Sequence, residues 1–149
     1  MKLEFIDTKE YDDLEAVELF AKDDYSRSFG TIKTVENNVL KFSWRSDIVK
    51  PEVLPIKDEF LTIGIDNSFA ILNSKKSEVF VKLVLQWNFV KTITSNNQLY
   101  VVTEQSILIF SIYNLSLLNY KVLPDIIDDI EITEDFIKVS CMDGCSYNI

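Results

Sequence analysis

The feature that most constrains this chain is a rhythm. Strand-length runs rich in Val, Ile, Phe and Tyr alternate with pairs of Asn or Asp. Asn37-Asn38 precedes VLKFSW, Asp66-Asn67 lies between FLTIGI and SFAIL, Asn96-Asn97 precedes LYVVTE, and Asp143-Gly144 separates FIKVSC from CSYNI. Asn and Asp tolerate left-handed backbone and bond their own main chain, so each pair marks a tight turn. The chain has only 3 Gly, which leaves most tight turns to these side chains. The expected fold is mainly β with minor α. It is built from antiparallel sheets of hairpins, arranged as a sandwich, an incomplete barrel or blade-like propeller units, with one short N-terminal helix.

The helix is placed by composition of ends and faces. Asp12 followed by Glu15 reads as a capping pair, and Leu14, Val17 and Ala21 share one helical face. This pattern predicts a helix from Asp12 to Lys22, with a strand at Ala16–Ala21 as the alternative. Pro51 and Pro55 remove ladder donors, so Ile48–Lys57 reads as a connection or an irregular edge. The chain is taken as a single β-rich domain, 1–149, with a seam near 48–57.

A weak internal repeat follows the seam. At an offset of 37 residues Val102 meets Val139, Ile112 meets Ile149 and Ile93 meets Ile130. At an offset of 38, Leu61–Leu72 falls on Leu99–Phe110 and Asp66 meets Glu104. Three such strand–turn–strand units cover Leu54–Ile149, and the first fifty residues fit poorly. In period alone the units resemble the WD-repeat class of propeller blades, without its Gly-His and Trp-Asp signatures.

Net charge is −9, unevenly laid out. Met1–Asp24 holds nine acids against three bases, Tyr25–Tyr120 eight against ten, and Lys121–Ile149 seven against two. Acidic ends repel nucleic-acid phosphate and anionic lipid and attract a basic partner. Neither a signal peptide nor a membrane span is expected, and the expected location is cytoplasmic. The chain has 0 His, which closes His-dependent triads and imidazole metal sites. No cofactor, no metal and no catalytic residue is expected. The three glycines are isolated, so no loop cradles phosphate. Adjacent acids such as Asp128-Asp129 point to opposite faces of a strand, poorly placed to flank one bond. Cys141 and Cys145 bracket Met142-Asp143-Gly144, a three-residue hairpin loop with Gly in the left-handed position. Such a loop sets the thiols opposite each other, where a cross-strand disulfide is geometrically conceivable, and a reducing compartment favours them free.

One segment is unusual. Six of the eleven residues from Asp125 to Asp135 are acids, yet isoleucines recur between them at strand spacing. Ile130 and Ile132 are expected on the core face, Asp129 and Glu131 outside. Edge strands use charge to prevent unwanted pairing, but this run exceeds that need. The candidate partner-binding residues are Asp125, Asp128, Asp129, Glu131, Glu134 and Asp135, with Asp12, Asp13, Tyr11 and Tyr147. Tyr25 and Trp44 are further aromatic candidates, although Trp44 and Trp87 sit in strand-like runs typical of core.

The acidic runs EYDDLEAVE (Glu10–Glu18) and DIIDDIEITED (Asp125–Asp135), in a short β-rich chain, resemble the immunity proteins of bacterial toxin systems. These include contact-dependent growth inhibition and related polymorphic toxins. The resemblance implies binding to a cognate basic toxin domain, such as a nuclease, and blockade of its active site through an acidic surface. The alternative expectation is a non-catalytic blade-like scaffold for protein–protein interaction.

Overall fold

A computed structural model describes residues 2–57, 59–133 and 136–149. The chain divides into two compact units, Met1–Val84 and Leu85–Ile149. Each holds two sheets around its own core.

The first unit opens with β1 (Lys2–Ile6), α1 (Thr8–Asp13), β2 (Val17–Phe20), β3 (Ser28–Lys33) and β4 (Val39–Trp44). These strands form a sheet of order β1-β3-β4-β2. The second sheet is a meander of β5 (Glu52–Lys57), β6 (Phe60–Ile65), β7 (Ser68–Asn73) and β8 (Val79–Val84). Leu19, Phe42 and Trp44 of one sheet share a buried cluster with Leu61, Ile63 and Leu72 of the other. Gly30 of β3 is closely flanked by its own sheet. A Cβ there would come within 3.2 Å of both the Glu4 carbonyl and the Phe42 ring.

Two expectations for this unit need correction. The helix lies earlier than Asp12–Lys22, because a different capping pair is used. Asp7 accepts from the Glu10 amide at 2.8 Å, and Glu10 Oε2 accepts from the Asp7 amide at 3.0 Å. Residues 17–20 then form the alternative strand, since burying Leu19 and Phe20 in the cluster outweighs a second helical turn. That strand also breaks the all-antiparallel expectation, because β2 pairs with β4 in parallel. At the expected seam lies β5, the edge of its sheet, with a register shift between Pro55 and Lys57. An irregular edge is what a proline without an N–H allows.

The second unit holds a meander of β9 (Phe89–Ser95), β10 (Gln98–Thr103), β11 (Ser106–Ser111) and β12 (Leu117–Val122). Its other sheet has three strands, β13 (Ile127–Ile132), β14 (Ile137–Cys141) and β15 (Ser146–Asn148). Tyr100, Val102, Ile107 and Ile109 of the meander share a buried cluster with Ile137, Val139 and Cys141. The two meanders are blade-like, with two-residue turns at Asp66-Asn67, Asn96-Asn97 and Glu104-Gln105 and five-residue connections at 74–78 and 112–116. Asn37, Asp66, Asn96, Asn97 and Gly144 all have positive φ, so each pair named from sequence holds at least one left-handed residue.

Hydrogen-bond phase resolves the repeat. Ile112 N donates to Asn97 O at 3.1 Å, which makes Val101–Leu108 a hydrogen-bonded pair further along β10 and β11. Ile137 and Ile149 exchange bonds of 3.2 and 2.8 Å, which does the same for Val139–Tyr147. Val101 therefore corresponds to Val139, at an offset of 38, the step already seen between Leu61–Leu72 and Leu99–Phe110. The 37-residue alignment is one residue out of phase, and a one-residue slip moves every side chain to the wrong face. Leu108 corresponds to Tyr147, an offset of 39, because the turn Met142-Asp143-Gly144 is one residue longer than Glu104-Gln105.

Candidate functional site

The second acidic run lies on an edge strand. Among the described residues β13 pairs only with β14, and a bulge between Ile127 and Asp129 sets Asp128 outside the ladder. Ile127, Ile130 and Ile132 oppose Cys141, Val139 and Ile137, while Asp129 and Glu131 oppose Ser140 and Lys138. The face assignment read from sequence holds for Ile130, which packs against the cluster, whereas Ile132, expected on the core face, is 52% exposed at the strand end. The bulge alters one detail: Asp128 and Asp129 are both exposed. Among the described residues neither has an ion pair, and Glu131 has only Lys138, at 4.0 Å. Asp125 is half-buried before the strand, its Oδ1 accepting from the Ile126 amide at 2.8 Å. Glu134 and Asp135, also named from sequence, fall outside the described residues.

The first acidic run belongs to the other unit and is largely tied down. Asp12 is held by Lys22 Nζ at 2.7 Å, and Asp13 is exposed at the end of α1. Tyr11 is a correction: at 1% exposure it is core, not a surface anchor. Its ring lies 5.0 Å from Phe29, and its hydroxyl donates to Glu18 at 3.2 Å. Burial, reinforced by the Glu18 carboxylate, pushes the phenol well above its ordinary pKa. Lys41 clamps this corner, donating to the Tyr11 and Leu14 carbonyls at 3.0 and 2.8 Å with its ammonium 4.6 Å from the Tyr11 ring. Trp44 is likewise core, its indole N–H bonded to the Val49 carbonyl at 3.0 Å. Tyr147 is half-buried against the second unit's cluster, and Tyr25 is exposed beneath the Arg45 guanidinium.

Sequence reading missed two features. The first is a cleft of about 270 Å³ in the first unit, at the small end for a ligand site. Arg45 dominates it, bonding Asp23 Oδ2 through Nε at 3.2 Å and Nη2 at 2.8 Å, while its amide donates to Asp66 Oδ2 at 2.6 Å. The hydrogen bond from Arg45 holds the Asp23 carboxyl below its usual range. Ser26 Oγ joins Asp23 to Ser43, each contact 3.0 Å. Asp23, Ser26, Ser43 and Arg45 thus hold one another in a single hydrogen-bonded chain. Their spacing in sequence carries no signal, since Arg45 meets partners twenty-odd residues to either side.

The second missed feature is apolar. On edge strand β12, Leu117 (52%), Leu118 (53%), Tyr120 (44%) and Val122 (53%) are exposed, with one Lys and no acid in the strand. A soluble edge of this kind usually carries charge, proline or a cover. Cys141 is buried and Cys145 exposed, both with free thiols, opposed across the hairpin as expected (Cys141 N to Cys145 O, 2.9 Å). Among the described residues no cluster of three or more His, Cys, Asp or Glu is placed to hold a metal ion. Among the described residues no helix is long and apolar enough to cross a membrane.

No family model matches the chain, and no curated protein matches it. Among solved structures it is similar to the computationally designed Ika4 protein, at 13% identity over 91% of this chain and 98% of that one, with a TM-score of 0.52. It is also similar to the computationally designed Ika8 protein, at 12% identity over 87% of this chain, with a TM-score of 0.51. The matched region spans 44% of Ika8. At such identity the likeness bears on fold alone.

Proposed function

We propose that this chain is a non-catalytic interaction module, in which blade-like sheets hold an apolar edge strand ready for a protein partner. The observation that carries the reading is β12. Its four exposed apolar side chains form one stretch along an unpaired edge. Exposed apolar surface of this kind marks interaction sites more often than it decorates a monomer. In the polar cleft, Arg45 is already engaged by Asp23 and, through its amide, by Asp66. A cytoplasmic home fits the two free thiols.

The test is site-specific photo-crosslinking. A photoreactive side chain at Leu118 is expected to trap a partner protein, and one at exposed Val35 is not. Equal trapping at both positions contradicts the reading.

A second reading is favoured by the bare carboxylates of β13. Here the chain is an immunity-type inhibitor that neutralises a basic toxin domain, such as a nuclease, through Asp128, Asp129 and Glu131. Long-range attraction would speed capture at low salt. Trapping from Asp129 and not from Leu118, abolished by salt, would select it.

A further inference from the structure

The two cysteines stand across one hairpin of the second unit. Gly144 N donates to Cys141 O at 2.9 Å, and Cys141 N donates to Cys145 O at 2.9 Å. Gly144 takes a φ of 85°, so the turn closes on a left-handed glycine. The bonds make Cys141–Cys145 a directly opposed, hydrogen-bonded pair. Such pairs have Cα atoms about 5.5 Å apart and side chains on one face, and a disulfide accepts Cα separations of about 4.4–6.8 Å. The Cβ atoms of an open pair lie up to about 5.5 Å apart, whereas a disulfide holds them at about 4 Å. Bond formation therefore draws the two strands together. A bond made this way is readily reduced again, as a reversible couple requires.

The two thiols are unequal. Cys145 is exposed, with the Tyr147 hydroxyl in hydrogen-bonding contact. Cys141 belongs to the core cluster, and its burial raises its pKa. First attack on a reagent thus falls to Cys145. Cys141 also fastens the start of the acidic segment. The Asp125 amide donates to the Cys141 sulfur, Met142 N donates to Ile126 O at 2.9 Å, and Ile127 opposes Cys141 across the ladder. Residues 125–127 are held beside the one sulfur that a disulfide would turn away.

We propose that Cys141 and Cys145 form a reversible thiol–disulfide couple, closed by a small-molecule disulfide, and that closure loosens the Asp125–Ile127 entry to the acidic strand. The Cys145 thiolate attacks one sulfur of the small disulfide, breaks its S–S bond and expels one thiolate. Cys141 then gives up its proton and attacks the Cys145 sulfur of the mixed disulfide, expelling the second thiolate. Two cysteine thiols are oxidised, one small disulfide is reduced to two thiols, and the two cysteine protons end on those thiols. Disulfides of reducing compartments are transient and redox-sensing in this manner. The couple is independent of the β12 reading, and it controls the carboxylates on which the second reading rests.

The test incubates the reduced full chain with glutathione disulfide in ~1 mM glutathione, where the closed form should outweigh the mixed disulfide by about tenfold because the second thiol stands beside the first. Trypsin cleavage after Lys138 releases Val139–Ile149, which holds both cysteines and should have lost two hydrogens. Cys141→Ala should stop with one glutathione attached, and Cys145→Ala should take up glutathione at least about tenfold more slowly than Cys141→Ala. In ¹⁵N spectra of the natural chain, the largest shifts outside the hairpin are expected at Asp125 and Ile127, with about tenfold faster hydrogen exchange at Ile127 and reversal by dithiothreitol. A natural chain that halts at the mixed disulfide, a dimer linked through Cys145, or closure that leaves the Asp125 and Ile127 amides unmoved would each overturn the proposal. If Cys141→Ala does not fold, the peptide mass and amide shifts of the natural chain decide the matter.

Discussion

The chain carries two acidic runs that look alike in sequence and are used in opposite ways. Glu10–Glu18 is largely absorbed by the structure. Glu10 caps α1, Asp12 binds Lys22, and Glu18 accepts from Tyr11 while Lys41 stands 3.9 Å away. In Asp125–Asp135 the exposed Asp128 and Asp129 have no ion pair among the described residues, and Glu131 has one distant lysine. The difference is one of neighbours. The first run lies near lysines from two other segments, whereas Lys138 is the sole basic residue of the sheet that carries the second. Acid count alone therefore says little about what a partner meets. A run that organises its own unit is not available, and a run that organises nothing is.

This contrast orders the expected effects of mutation. Lys41→Ala should be the costliest change in either run's surroundings. It leaves the Tyr11 and Leu14 carbonyls without their donor, at about 1–3 kcal/mol by chemical denaturation. Asp7→Ala removes the α1 cap and should cost about 1 kcal/mol.

Tyr11→Phe should cost about 0.5–1.5 kcal/mol at neutral pH through the lost bond to Glu18. Its effect on alkaline stability has a definite sign. The folded phenol is raised above the unfolded value of about 10. The unfolded chain thus loses this proton first. The contribution of neutral Tyr11 is intact below about pH 10 and fades as pH climbs toward the folded value. The phenylalanine variant should lack that component in a pH series.

The second run should be nearly silent for stability. Asp128→Asn, Asp129→Asn and Glu131→Gln together should move stability by no more than about 0.5 kcal/mol, with relief of repulsion favouring the fold. The same variant should self-associate more readily on light scattering, because it strips charge from an edge. A loss matching that of Lys41→Ala would break the comparison.

Thiol labelling sharpens it at the smallest scale. Cys145 should react with maleimide at once. Cys141, buried opposite Ile127 with its pKa raised by that burial, should react only as β13 opens.

Much of this was legible in sequence where the controlling physics is local. Asn37, Asp66, Asn96 and Gly144 were readable as turns because left-handed backbone is a property of single residues. The strand runs were readable because burial on a pleated sheet has a period of two. Long-range choices were not. Two capping pairs, Asp7/Glu10 and Asp12/Glu15, are equivalent locally, and only the burial of Leu19 and Phe20 selects the first. The parallel pairing of β2 with β4 leaves no mark in either strand. The repeat was visible, but its phase was not, since valine occurs at both Val101 and Val102. The apolar edge of β12 was hidden for a related reason. LLNYKV reads as an ordinary strand until its neighbours are known.

Salt-resolved binding of the partner trapped at Leu118 tests the central claim most directly. It compares the natural chain, Leu118→Ser/Tyr120→Ser, and the Asp128→Asn/Asp129→Asn/Glu131→Gln variant at ~0.01 M and ~1 M salt, where charges reach about 30 Å and about 3 Å. If an apolar edge carries the interaction, the serine variant loses binding at both salts and the amide variant weakens only at the lower one. Binding that survives both serines and vanishes with the three carboxylates would contradict the account.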